Sequence, residues 1–220
     1  MKKTTYFFAT MLIFLSSCAV YYPQPVDIPL ISEKGDLRID AGGLLVSGVL
    51  VGGHSTVSYG ITNVLAAQVY ASLDLVGRSY IQFAPGLFNS FENDRVIEFY
   101  GGYGFGADSW GGSYQLAFSQ FNIGKVGTRF EHGFGLKGGY IFAQNELYIH
   151  RNSPQENGWL IEPSVMLRYG NERVKFSTRI NFLWTESIPR ENYMPLTMSV
   201  GVNINLNTRT SKTPRIINFE

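Results

Sequence analysis

The chain has 220 residues, of which 45% are hydrophobic, 16% charged and 15% aromatic, with 24 glycines and a formal net charge of +1. A charge content this far below the usual quarter of a soluble domain, with many glycines and aromatics, fits a β-rich protein with one face in an apolar medium. The near-neutral balance excludes the basic excess that nucleic acid requires, and only a short N-terminal stretch is apolar enough to suggest a helix in a membrane.

That stretch comes first. Lys2 and Lys3 form a positive start, Tyr6 to Leu15 a short apolar run, and Leu15-Ser16-Ser17-Cys18 follows. Positive charge, an apolar run and small residues before a cut mark a secretory signal, and the run is too short for a permanent span. The last four residues resemble the bacterial lipobox, in which the Cys thiol is acylated and becomes the new N-terminus. Residues 1–17 are thus read as a lipoprotein signal peptide and Cys18 as the lipid attachment site. Loss of Lys2 and Lys3 leaves 16 basic against 17 acidic residues, a mature charge of −1. Cys18 is the only cysteine, so no disulfide can form within the chain. Residues 18–34 contain Pro23, Pro25 and Pro29. Prolines stiffen a segment and remove ladder donors, which predicts an extended, lipidated tether leading to the first strand.

From Gly35 the dominant signal is alternation, since successive strand side chains point to opposite faces. Strands are predicted near Asp36–Leu45, His54–Ile61, Leu65–Asp74 and Ser79–Phe88. Next, Ile97, Phe99, Tyr103 and Phe105 oppose Glu98, Gly102, Gly104 and Gly106. Tyr114, Leu116 and Phe118 oppose Gln115, Ala117 and Ser119, and the former are read as the lipid-facing set. Phe134, Leu136, Tyr140 and Phe142 oppose Glu131, Gly133, Gly135, Lys137 and Gly139. Trp159 to Tyr169, Arg173 to Thr185 and Pro195 to Leu206 each set an apolar face against a polar one. The sum is an all-β chain: one antiparallel up-and-down transmembrane β-barrel over residues 35–207, of about ten strands (eight if two weak segments merge), then a polar tail at 208–220. Ile61-Thr62-Asn63-Val64 and Tyr169-Gly170-Asn171-Glu172-Arg173 read as tight turns, while Gln144 to Gly158 and Glu186 to Met194 read as long polar connections. With a periplasmic N-terminus the tight turns fall inside and the long loops outside, the outer-membrane pattern.

If the apolar face meets lipid, the lumen receives Arg38, Asp40, His54, Gln68, Tyr70, Gln82, Glu98, Glu131, Lys137, Glu162, Arg168, Lys175, Arg179 and Asn203. Opposite charges in a narrow interior tend to pair, so a salt-bridged, filled lumen is expected rather than a wide pore. Arg168, Lys175 and Arg179 stand on adjacent strands and form, with Glu162, a candidate charge cluster; it could attract a small solute or anion, or serve as a structural ion-pair network.

No catalytic constellation emerges. His54 and Ser55 are sequence neighbours and so point to opposite faces; the same objection applies to Glu131 and His132. His150 lies in a long polar connection beside Arg151. No histidine pair has metal-ligand spacing, so neither metal nor cofactor is expected. The glycine-rich run 101–106 sits in a strand and opens no helix, which argues against a phosphate loop and for relief of crowding.

Asp27-Ile28-Pro29-Leu30, Glu33-Lys34-Gly35-Asp36-Leu37, Tyr59-Gly60-Ile61-Thr62-Asn63-Val64 and Phe99-Tyr100-Gly101-Gly102-Tyr103-Gly104, together with the lipobox, resemble small outer-membrane β-barrel lipoproteins of Gram-negative bacteria. The resemblance covers most of the mature chain and implies no catalytic residues. Such barrels usually end on a strand with a terminal aromatic; here a polar tail follows Leu206-Asn207, and Phe219 lies outside any strand pattern. The leading expectation is a non-enzymatic outer-membrane lipoprotein, monomeric, with a structural or narrow-channel role and outer-membrane lipid as its partner. Two alternatives compete: a lipid-tethered soluble, lipocalin-like barrel holding a hydrophobic ligand, and an outer-membrane lipid-modifying enzyme.

Overall fold

The computed structural model describes residues 24–46, 49–75, 77–107, 112–145, 157–185 and 195–206. Its strands are β1 (Leu37–Val46), β2 (Val49–Gly60), β3 (Leu65–Asp74), β4 (Ser79–Ser90), β5 (Arg95–Ala107), β6 (Gly112–Lys125), β7 (Phe130–Asn145), β8 (Gly158–Gly170), β9 (Val174–Phe182), β10 (Trp184–Thr185) and β11 (Leu196–Asn205). β9 and β10 flank Leu183, keep one alternation of exposed and buried side chains, and both pair with β8. They act as one stave, so the sheet is an antiparallel barrel of ten staves, as the alternation predicts.

Neighbours in sequence are neighbours in the sheet from β1 to β9, and the barrel closes through β11, which pairs with β9 on one side and β1 on the other. The seam runs in register from Arg38 opposite Asn205 to Leu45 opposite Met198. The short connections after β2, β4, β6 and β8 gather at one rim. At 61–64 the Thr62 hydroxyl oxygen accepts from the amides of Val64 and Leu65, and at 171–173 the Asn171 side chain accepts from the amides of Arg173 and Val174. Short polar side chains that satisfy their own backbone let a strand reverse within a few residues. The opposite rim carries the connections from Asn145 to Gly158 and from Thr185 to Leu196. The long loops themselves (146–156 and 186–194), residues 1–23 with Cys18, and the tail from 207 lie outside the described residues.

The exterior is apolar. Val57, Val69, Ile81, Phe83, Phe99, Phe121, Leu136, Val165, Ile180 and Val200 are all exposed along the staves. Aromatic side chains gather toward both rims: Tyr103, Phe105, Phe142, Trp159 and Trp184 at the loop rim, Tyr59, Phe130, Tyr169 and Phe176 at the turn rim. Amphipathic rings prefer the headgroup level, so two such bands bounding an apolar belt are what a bilayer selects. An apolar exterior is the reverse of what a soluble ligand carrier needs, and the lipocalin-like alternative is set aside on that ground.

Two expectations need correction. The first concerns β6. Tyr114, Leu116 and Phe118 are buried in the lumen, while Gln115 and Ser119 are exposed. Alternation identifies two faces but not which one points inward. Lower on the same strand, Gln120 and Asn122 share the parity of Tyr114 and are buried, whereas Phe121 and Ile123 are exposed. The second concerns the tether. From Gln24 to Ser32 the chain is buried inside the barrel rather than running outside it. Pro25 and Pro29 deny it the donors of a ladder strand, so it does not join the sheet. An eight-stranded barrel leaves just enough room for its own side chains; ten staves make a wider interior, and one extended segment occupies it.

The lumen as candidate functional site

Segment 24–32 enters the described structure beside β3 and leaves it at the turn rim. Its Gln24 accepts hydrogen bonds from Tyr70 (2.9 Å) and Ser72 (2.6 Å), both on β3 toward the loop rim. At the other end Ser90 donates to the Ser32 carbonyl (2.9 Å) and the Gly35 amide donates to the Gly60 carbonyl (2.7 Å). Between them the backbone is satisfied by lumen side chains. The Val26 amide donates to Asn181 (3.1 Å), the Ile31 amide donates to Glu98 (2.7 Å), and Gln120 donates to the Asp27 carbonyl (2.6 Å). Arg168 reaches the Pro29 carbonyl (3.4 Å). A buried main chain without such partners would lose about 1–3 kcal/mol per group.

The apolar side chains of the segment rest on glycines. A Cβ on Gly133 would stand 3.0 Å from Ile28, one on Gly135 3.0 Å from Val26, and one on Gly124 2.7 Å from Leu30. These inward positions on β6 and β7 form a bare strip of wall, and the segment fills it. Leu30 adopts φ 58°, a left-handed conformation that a branched side chain rarely takes, so packing at both its ends holds it there.

Two walls differ in chemistry. The charged wall is built from β1, β7, β8 and β9 toward the turn rim. Arg38 pairs with Glu131 (3.1 Å) and Asp36 (3.5 Å), Lys175 with Glu131 (3.2 Å), and Arg168 with Glu131 (3.5 Å) and Asp40 (3.4 Å). Arg179 Nη2 lies 2.6 Å from both Asp27 Oδ1 and Asp40 Oδ2. The cations Arg38, Arg168, Lys175 and Arg179 thus face the anions Asp27, Asp36, Asp40 and Glu131. One of these anions comes from the threaded segment. The aromatic wall, on β3 to β6, packs Tyr70, Tyr80, Phe88, Tyr100, Tyr114, Leu116 and Phe118 together with Ile31. Tyr80 and Tyr114 stack at 5.6 Å between ring centroids, and each ring lies over the place a Cβ would take, on Gly104 and Gly106 respectively.

All fourteen residues assigned to the lumen from sequence are buried there. Of the candidate cluster, Arg168, Lys175 and Arg179 are brought together through shared carboxylates. Glu162 is not among them: its carboxylate lies 2.9 Å from Lys137, near the aromatic wall, with the Lys137 ammonium 5.3 Å from the Phe118 ring centre. Glu162 and Arg168 stand six residues apart on one strand, about 20 Å along it, a separation that strand adjacency alone does not convey. Sequence reasoning misses Asp27 as a counter-ion, and it places Glu131 and Asp40 in the lumen without joining them to the cluster. One signal points to the first of these: Asp27 stands alone among Val26, Ile28, Leu30 and Ile31, an apolar setting ill suited to a solvated tether.

The histidines do not assemble a reactive group among the described residues. His54 faces the lumen, stacked on Tyr70 at 5.9 Å, while Ser55 is exposed on the outer face. His132 is exposed beside Phe130 at 5.7 Å. His150 lies outside the described residues. No group of three or more metal-ligating side chains occurs among the described residues.

No family model and no curated protein matches the sequence. Among solved structures, the chain is similar to a NanC porin at 12% identity and a TM-score of 0.41, over 77% of this chain and 100% of that one.

Proposed function

We propose that the protein is an outer-membrane β-barrel lipoprotein, acylated at Cys18, whose lumen is held shut by its own residues 24–32. It serves as a structural barrel or as a narrow channel in its closed state. The observation that carries this reading is the pairing of an apolar, aromatic-banded exterior with a lumen whose charges are matched to a segment of the same chain. A bilayer supports the first feature, and only a filled interior supports the second. The signal-like N-terminus and the lipobox-like residues before Cys18 support export and anchoring.

The test is extraction of the Cys18→Ala protein by alkaline carbonate. An embedded barrel stays with outer membranes and changes gel mobility on boiling. Release as a folded soluble monomer overturns the reading. Planar-bilayer recordings of the same protein then distinguish a shut lumen, which passes little current, from an open one.

A further inference from the structure

The setting of Asp27 has the form of a receptor. One carboxylate oxygen, Oδ1, lies 2.6 Å from Arg179 Nη2 and 3.8 Å from Arg168 Nη2; the other, Oδ2, accepts a hydrogen bond from Gln68 Nε2 at 3.1 Å. These side chains come from β3, β8 and β9 and are all buried. Every one of them belongs to the wall, and the only part of the arrangement that does not is the carboxylate itself. Asp40 shares both guanidinium groups and Glu131 also pairs with Arg168, so removal of the Asp27 charge leaves the four cations of the cluster against three anions.

We propose that Arg168, Arg179 and Gln68 form a carboxylate-receiving site in the lumen, that Asp27 fills it as an internal ligand, and that a carboxylate-bearing solute takes its place when segment 24–32 withdraws. The proposal rests on the plugged-barrel reading and names the ligand class of that lumen. Three features select the class. The site is short of a single negative charge, so it takes a monoanion. The guanidinium groups stand against one oxygen and Gln68 donates to the other, so the site meets two oxygens of one planar group, which suits a carboxylate and not a sphere. The carboxylate of Asp40 in the same cluster repels a dianion such as hydrogen phosphate.

The experiment uses the full chain, refolded in detergent with its mobility shift on boiling as the readout of folding. Asp27→Ala removes the carboxylate and leaves a methyl group, a vacancy the size of formate. Sodium formate is expected to raise the boiling midpoint or refolding yield of Asp27→Ala in a saturable way. It should recover roughly half or more of what the substitution loses, with sodium chloride at equal ionic strength and sodium phosphate having little effect. Asp27→Asn, whose amide still occupies the space, should not respond to formate. If Asp27→Ala refolds only in formate, the proposal is supported. If formate does no more than chloride, or if Asp27→Asn responds equally, it is overturned. Failure of the plugged-barrel reading would show differently, as an unsubstituted protein that is released by carbonate or conducts freely before any residue is changed.

Discussion

The two walls of the lumen fill the same volume by opposite means. On the aromatic wall, large side chains from β4 and β6 lie over glycines of β5, and stability comes from close packing to which the segment adds one apolar side chain, Ile31. On the charged wall no residue is self-sufficient. Glu131 serves three cations, and Arg179 is divided between Asp40 of β1 and Asp27, which lies outside the sheet. In an empty barrel the first wall would lose only Ile31 and the bonds to Gln24. The second is complete only when segment 24–32 is in place, so any control over the lumen acts through the charged side.

The widest test of this contrast exchanges 24–32 for a Gly/Ser stretch of equal length. Membrane insertion should persist, because the exterior is untouched and the aromatic wall loses only Ile31 and the bonds to Gln24, while single-channel conductance should rise from near zero to a resolvable step; a barrel that stays silent would break the distinction. Next in size is Glu131→Leu. It leaves three buried cations without their shared anion, and a loss of about 3–5 kcal/mol is expected, read as a lower midpoint for the boiling shift. The Lys137–Glu162 pair gives a sharper form of the same idea. Lys137→Met alone should cost about 3–5 kcal/mol, whereas Lys137→Met with Glu162→Leu should be near neutral, since replacing a whole buried pair by apolar groups often is. A double variant as unstable as the single would mean that the pair is needed for more than charge balance.

Smaller effects separate the plug from the walls. Gly133→Val overfills the seat of Ile28 and should cost about 1–3 kcal/mol. Because the strain falls on the segment, channel opening should become more frequent along with the loss. Tyr70→Phe removes one hydrogen bond to Gln24 and should cost about 1 kcal/mol with little change in conductance. Frequent opening in Tyr70→Phe would show that Gln24, rather than Asp27, holds the segment.

Much of this architecture is legible in the sequence because barrels obey a period of two. The parity of Arg38, Asp40, Glu131, Arg168, Lys175 and Arg179 within their strands is enough to place each of them in the lumen. Parity carries no sign, however. On β6 hydrophobicity alone assigns Tyr114, Leu116 and Phe118 to lipid, and only the continuation of that set into Gln120 and Asn122 reveals the true direction. Pairing across the lumen is harder still. Val26 and Asn181 are 155 residues apart, and nothing local to either announces the other. A proline-rich stretch reads as a tether for sound reasons, since its inability to join a ladder is real. The same inability is what frees it to lie along the barrel axis.

The seam between β1 and β11 turns this arrangement into a thread through an eyelet. The segment runs from the Tyr70 level down to the turn rim, where it becomes β1, and its contacts on β8 and β9 belong to staves made long after it. A ring sealed at β1 and β11 cannot release the thread sideways. Withdrawal through the turn rim must draw everything that precedes Gln24 along the lumen behind it. If Cys18 is acylated as proposed, its acyl chains, six residues upstream, would act as a stopper at the end of the thread, limiting how far the lumen can clear while the seam stays shut.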